Sequence, residues 1–399
     1  MTPASGRPRL LVVGPVPPPI GGVETCVQAV LESPALDVFD VAHCDITKRR
    51  PKATQGAFDG GNLVWAARHL ARMARSMATH RPDVVYVPIS GTTTGVLRDL
   101  ALAALARRGN VRVVGHQHDG GIADVLGRGG PIGAAVRAGF GRFHRLLVLG
   151  ESWRQMFLDW GLTAPVELCP STFRRELFEA ASVARTAPAA GAPLRALFVG
   201  QVGERKGVPD LVRTMKVLAD RRVDATLTLV GPDEQPGRTD AALALARSLG
   251  VADRVRFTGA LMGEALHAEY RAHDVFVLPS HLEGLPVVLF EAGAFSLPAI
   301  TTRVGSIPDL VRHDVNGLFV TPGHADEIAG ALEVLARDLA RRARLGAQLR
   351  TDILAYHPER VGARVADALW DELRIAGRVS GERPRDGDAG AASTPRDGA

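Results

Sequence analysis

Long apolar runs are missing from this chain. No stretch reaches the roughly 18 apolar residues that a bilayer-spanning helix needs, so a transmembrane-helix protein is excluded. The opening residues Met1–Arg9 hold no apolar signal core, because the first apolar run, Leu10–Val13, reads as a strand. Cysteine is scarce as well: Cys26, Cys44 and Cys169 are odd in number, widely spaced and without a CxxC pair. That argues against a disulfide framework or a structural zinc site and leads to the expectation of a reducing, cytoplasmic setting. Aromatics make up only 5% of the residues, and no short internal repeat is visible.

What the chain does have is length, glycine and a soluble core composition. Its 399 residues exceed one ordinary domain, and 46% are apolar. The 43 glycines suit an α/β protein with many tight strand-to-helix turns. Charge is uneven: residues 1–180 carry 21 Lys and Arg against 15 Asp and Glu, the remainder 27 against 28. The excess gathers at Lys48, Arg49, Arg50 and Lys52, then at Arg68, Arg72 and Arg75. Such a face is either plain solvated surface or a site for anionic lipid headgroups, a phosphorylated acceptor or nucleic acid.

Short β-branched or apolar runs alternate with longer helical patterns, which predicts parallel α/β units. The predicted strands of the first half are Leu10–Gly14, Val38–His43, Val84–Pro88, Val111–His116 and Arg145–Leu149. Those of the second half are Ala196–Gly200, Ala225–Gly231, Val255–Gly259, Val275–Pro279, Ala299–Thr302 and Gly317–Val320. Two Rossmann-like domains facing a cleft are therefore expected, residues 1–180 for the acceptor and 194–357 for the donor. A linker at 181–193, a closing helix at 358–376 and a disordered tail at 377–399 complete the division.

Three segments carry chemistry. Gly21-Gly22 lies between the first strand and a helix, where bare backbone can approach a diphosphate or a sugar. Its spacing is not GxGxxG, and no acidic residue follows about 20 positions on at a strand end, which argues against a nicotinamide site. In Phe198–Gly207, Gln201, Arg205 and Lys206 occupy the loop after a strand, where cations could neutralise a departing diphosphate. In Pro279–Ala292 a strand leads through Glu283-Gly284-Leu285-Pro286 into an apolar helix that contains Glu291. A carboxylate among Val287, Val288, Leu289 and Phe290 needs a partner, either ribose hydroxyls or a salt bridge.

Glutamate, seven residues, then a second glutamate resembles the signature of the retaining GT-B glycosyltransferases of family 4, the group 1 glycosyltransferases. Gly21–Glu24, Lys206-Gly207, Val304–Asp309 and Asn316-Gly317-Leu318 resemble further elements of that family in the same order. The resemblance is strong across the second half and thin across the first. It implies that Glu291 holds the ribose, Glu283 contacts the donor sugar, Gly284, Leu285 and Pro286 lie against sugar and phosphate, and Lys206 binds the diphosphate. The family usually has arginine where this chain has Gln201, so either Arg205 compensates or the diphosphate is held less tightly. A histidine near the transferred sugar is common there, and His118 fits that role better than His116. As bare residues the two histidines could also be turn residues or a metal pair, but a third ligand is lacking.

The resemblance implies retention by front-face attack, in which the diphosphate helps deprotonate the acceptor. Double displacement through a carboxylate nucleophile is the other route to retention. No DxD-like motif stands out, so metal-independent transfer with no cofactor is expected. The expected partners are a UDP- or GDP-linked sugar and a sugar or lipid-linked acceptor in polysaccharide or glycolipid synthesis, not nucleic acid. The basic helix Leu63–Thr79 adds the expectation of peripheral contact with the inner face of the plasma membrane. A nucleotide-sugar epimerase or hydrolase of the same architecture, or a non-catalytic binder of nucleotide sugars or polyanions, are the other classes these residues fit.

Overall fold

The computed structural model describes residues 6–18, 21–47, 60–127, 129–183 and 192–385. Lys48, Arg49, Arg50 and Lys52, most of the expected linker, and the tail from residue 386 lie outside them.

Two parallel six-stranded sheets form the architecture. The first holds β1 (Arg9–Gly14), β2 (Asp40–Asp45), β3 (Val84–Ile89), β4 (Arg112–Gln117), β5 (Arg145–Val148) and β6 (Val166–Leu168), in the order β2-β1-β3-β4-β5-β6. The second holds β7 (Leu194–Val199), β8 (Ala225–Val230), β9 (Val255–Gly259), β10 (Val275–Leu278), β11 (Ala299–Thr302) and β12 (Gly317–Val320), in the order β12-β11-β10-β7-β8-β9. Their central strands are apolar on both faces because helices cover both, as in Leu10–Val13 and Val275–Leu278. Every predicted strand is present, although β2 begins two residues later than expected. The short β6, with partly exposed Val166 and Glu167, escaped prediction because it lies at a sheet edge.

Strand order reverses beside β1 in the first sheet and beside β7 in the second. Ligands in open α/β sheets bind at the carboxyl ends of strands around such a reversal. In the second sheet the neighbours there are β7 and β10. The loop after β7 carries Gln201, Arg205 and Lys206, and the loop after β10 carries Glu283.

The closing helix, Pro358–Ile375, leaves the second lobe and packs on the first. Its Val361, Val365, Leu369 and Leu373 join Leu10, Val12, Val27 and Tyr86 in one apolar cluster. Glu372 on this helix is 1% exposed and accepts from Arg112 Nε and Arg145 Nε, both at 2.9 Å. The expected tail is ordered at its start: Trp370 Nε1 donates to the Gly381 carbonyl, and Arg383 pairs with Asp367. These two contacts hold the chain against the helix as far as Arg383.

Candidate active site

Gly207 sets the geometry of the loop after β7. Its φ is +72°, and a Cβ there would stand 2.4 Å from the Pro279 carbonyl, so the turn needs glycine both for conformation and for space. Helix Val208–Asp220 starts directly after it, with Pro209 in the first turn. This close packing of the two loops lets Lys206 Nζ meet Glu283 Oε1 at 2.5 Å, with side chains 13% and 6% exposed. Arg205 has two other partners: its Nε donates to Glu234 at 2.8 Å and its guanidinium to Gln201 Oε1 at 3.2 Å. Gln201 therefore steadies Arg205, and Glu234 offsets part of the charge expected for a phosphate.

The Glu-Gly-Leu-Pro turn is buried from Glu283 to Pro286 and leads into helix Val287–Ala294. Glu291 in that helix is partly buried, and its Oε2 accepts from the Tyr270 hydroxyl at 2.6 Å. Burial raises its pKa above the usual 4.5, and the tyrosine hydrogen bond partly offsets the rise. A phenol, rather than the salt bridge weighed from sequence, is thus its protein partner. It leaves the other carboxylate oxygen for a ligand.

The first lobe closes over this turn. A Cβ on Gly120 would lie 2.4 Å from the Glu283 carbonyl, and one on Gly284 would lie 2.6 Å from that of His118. A Cβ on Gly22 would lie 3.7 Å from Val287, so the Gly21-Gly22 loop also faces the second lobe. At the next contact Asp309 Oδ2 accepts from the Glu151 amide at 3.2 Å, and Ser152 Oγ donates to the Gly305 carbonyl at 3.0 Å.

His118 is 8% exposed and its ring lies 4.0 Å, centroid to centroid, from that of His116. Burial pushes the His116 pKa down to about 4 and that of His118 well below 6.5, the neighbouring ring adding to the latter. Both rings are neutral at pH 7. Among the described residues no cluster of three or more His, Cys, Asp or Glu could hold a metal ion.

The structure thus brings Lys206, Glu283, Gly284, Leu285 and Pro286 together with His118 and the Gly21-Gly22 loop along one inter-lobe seam. Arg205 and Gln201 adjoin it, bonded to each other. Sequence reasoning missed Tyr270, Glu234 and Tyr86. Each is a side chain on another element that meets the site only through the fold, and no motif spacing announces it.

Two Rossmann-like sheets, with the second lobe's switch point facing a first-lobe histidine loop, define the GT-B architecture. Sucrose-phosphate synthase of Thermosynechococcus elongatus superposes with a TM-score of 0.75 at 20% identity, over 93% of this chain and 100% of that one. An Anabaena HepE structure in complex with UDP-glucose gives 0.68 at 18% identity, over 91% and 99%. Residues 185–352 match the family model of glycosyl transferases group 1. A GDP-mannose-dependent alpha-(1-6)-phosphatidylinositol monomannoside mannosyltransferase of Mycobacterium tuberculosis is 29% identical over 75% of this chain and 78% of its own length. Another relative, 31% identical, is matched over 46% of this chain and only 46% of its own length. Through residues 185–352 this chain is similar to the group 1 glycosyltransferases, and the relatives it matches carry glycosyltransferase names, the first of them over less than half of its own length.

Proposed function

We propose that this protein is a retaining glycosyltransferase that moves a sugar from a UDP- or GDP-linked donor to a hydroxyl of a sugar or lipid-linked acceptor, in cell-surface polysaccharide or glycolipid synthesis. The observation that carries this reading is the Lys206–Glu283 pair at the second lobe's strand-order reversal, directly beneath the His118–Gly120 loop. An ammonium has three N–H groups, so Lys206 bonded to Glu283 keeps two for diphosphate oxygens. Arg205 and the amides of Gly284 and Leu285 add to the positive potential on the leaving group. Glu291 takes the ribose through the oxygen that Tyr270 does not use, and the Gly21-Gly22 loop approaches the donor from the first lobe.

Glu283 and His118 then contact the transferred sugar. Front-face attack suits this set, since positioning and stabilisation of the diphosphate supply the rate without a base of high pKa. With Lys206 and turn amides on the diphosphate, transfer is proposed to be metal-independent. The mycobacterial relative is named for its dependence on GDP-mannose, which supports a nucleotide-sugar donor.

A lipid-linked acceptor would be met at the inner face of the plasma membrane. Helix Gly60–His80 supports that part of the proposal with exposed Arg68, Arg72 and Arg75, half-exposed Val64, and Arg68 lying 5.8 Å from the centroid of the Trp65 ring. Among the described residues no helix is long and apolar enough to cross a membrane.

Calorimetric titration of wild type and Glu291→Ala with UDP, GDP, ADP and dTDP tests the reading. Binding of one diphosphate by the wild type alone supports it. Absence of binding at millimolar concentration overturns it in favour of a non-catalytic protein. Conversion of the donor sugar without acceptor would point instead to an epimerase or hydrolase.

A further inference from the structure

Behind His118 the hydrogen bonds run in one direction. His116 Nε2 lies 2.8 Å from the Cys169 carbonyl, which can only accept. Nε2 therefore carries the His116 proton, and in the neutral ring Nδ1 is bare. The Tyr86 hydroxyl lies 2.7 Å from that Nδ1, so its single proton is donated there. Its oxygen is then left to accept, and His118 Nε2 stands 3.4 Å away. This contact is long but leaves His118 only one matching form, with the proton on Nε2. His118 Nδ1 is bare by elimination, and it is buried without a partner.

The arrangement is local to one sheet face. His116 ends β4, and His118 follows two residues on and points its ring to the same side, against His116. Tyr86 on the adjoining β3 is fully buried in the apolar cluster under the closing helix, so its hydroxyl has no water to turn to. A buried phenol between two imidazoles fixes a proton pattern that solvent would otherwise scramble. A buried nitrogen with no partner calls for a ligand or another physical reason.

We infer that Tyr86 and His116 are positioning residues that lock His118 in its Nε2–H form and leave Nδ1 as an acceptor for a sugar hydroxyl. This rests on the reading of His118 as a sugar contact. It narrows that reading: His118 receives a hydrogen bond from the substrate and does not act as a proton donor to it. Specificity follows, because a sugar whose hydroxyl at that point is missing or replaced by an acceptor would leave Nδ1 unsatisfied.

The test has two arms. In the first, nitrogen-15 NMR of histidine-labelled full-length wild type reads the tautomers directly. His116 and His118 both protonated on Nε2 is the expected result; His118 protonated on Nδ1 overturns the inference, with no variant needed. Tyr86→Phe should leave His118 in a mixture of forms, and an unchanged His118 spectrum in that variant would equally overturn it. In the second arm, UDP and UDP-glucose, and GDP and GDP-mannose, are titrated into wild type and Tyr86→Phe.

For the pair that binds, the nucleotide sugar should weaken about two- to tenfold in the variant, in step with the fraction of His118 that loses its Nε2–H form, while the bare diphosphate is unchanged. Equal weakening of both, or of neither, overturns the sugar contact. If no diphosphate binds even the wild type, the glycosyltransfer reading fails and the ligand assigned to Nδ1 fails with it. The tautomer arm still decides whether Tyr86 and His116 lock His118 in its Nε2–H form.

Discussion

Lys206 and Glu283 stand 77 residues apart in sequence, yet their Nζ and Oε1 lie 2.5 Å apart, nearly closed off from solvent. Removing one partner strands the other as a buried charge, which costs about 3–5 kcal/mol. Lys206→Met should therefore lower the urea stability by that amount and abolish binding of UDP or GDP. Adding Glu283→Gln to it should return most of the stability while binding stays lost. A single variant as stable as the wild type would show that the pair is solvated in solution.

Glu291 and Tyr270 give a pH signature. The carboxylate serves ribose hydroxyls best when ionised, and burial raises its pKa above 4.5. Diphosphate affinity should accordingly fall as pH drops through that raised value. Tyr270→Phe removes the hydrogen bond that holds the pKa down, so the fall should begin at higher pH and affinity at pH 7 should weaken up to about tenfold. Calorimetry across pH on the two proteins checks this. Coincident profiles would mean that Glu291 is not the titrating group.

His116 links acid to stability. Its pKa falls from 6.5 unfolded to about 4 folded because burial disfavours the charged ring. Between those values the unfolded chain binds the extra proton, so stability is full above pH 6.5 and declines as pH falls toward 4. The shift corresponds to about 3 kcal/mol for this one ring. Urea midpoints from pH 7 to pH 4.5 should drop more steeply in the wild type than in His116→Gln. Parallel curves would count against a buried neutral His116.

The strands, and with them the two lobes, were legible because parallel strands covered on both faces are short apolar runs that end at glycine or proline. The donor loops were legible because Lys206-Gly207 and Glu283–Glu291 are contiguous. The burial of Glu291 was readable as a cost, but the tyrosine that meets it lies on the preceding helix and has no fixed spacing from it. Arg205 looked like a free phosphate ligand because Glu234, its partner, comes from another loop. The closing helix was visible from its apolar periodicity. Its return to the first lobe through Glu372, Arg112 and Arg145 was not, because ion pairs across more than 200 residues leave no local pattern. In the tail, arginine-rich composition hid the packing of Arg383 on Asp367.

Gly150 offers a way to separate lobe closure from nucleotide binding. It precedes helix Glu151–Asp159, whose first amide donates across the seam to Asp309. A Cβ at residue 150 would lie 1.8 Å from Asp309 Oδ2 and 2.8 Å from Ser306 Cβ. The carboxylate can swing aside, but the serine Cβ is fixed to its backbone, so the lobes must part locally. Such overpacking costs typically 1–3 kcal/mol, charged here against the closed arrangement. Gly150→Ala should therefore shift the small-angle scattering profile toward a more open particle and lower kcat/KM for transfer by about tenfold or more. Lys206 and Glu291 both lie on the second lobe, so UDP or GDP affinity should fall far less than kcat/KM does. Loss of that affinity together with activity would mean that the substitution damages the second lobe itself rather than its closure.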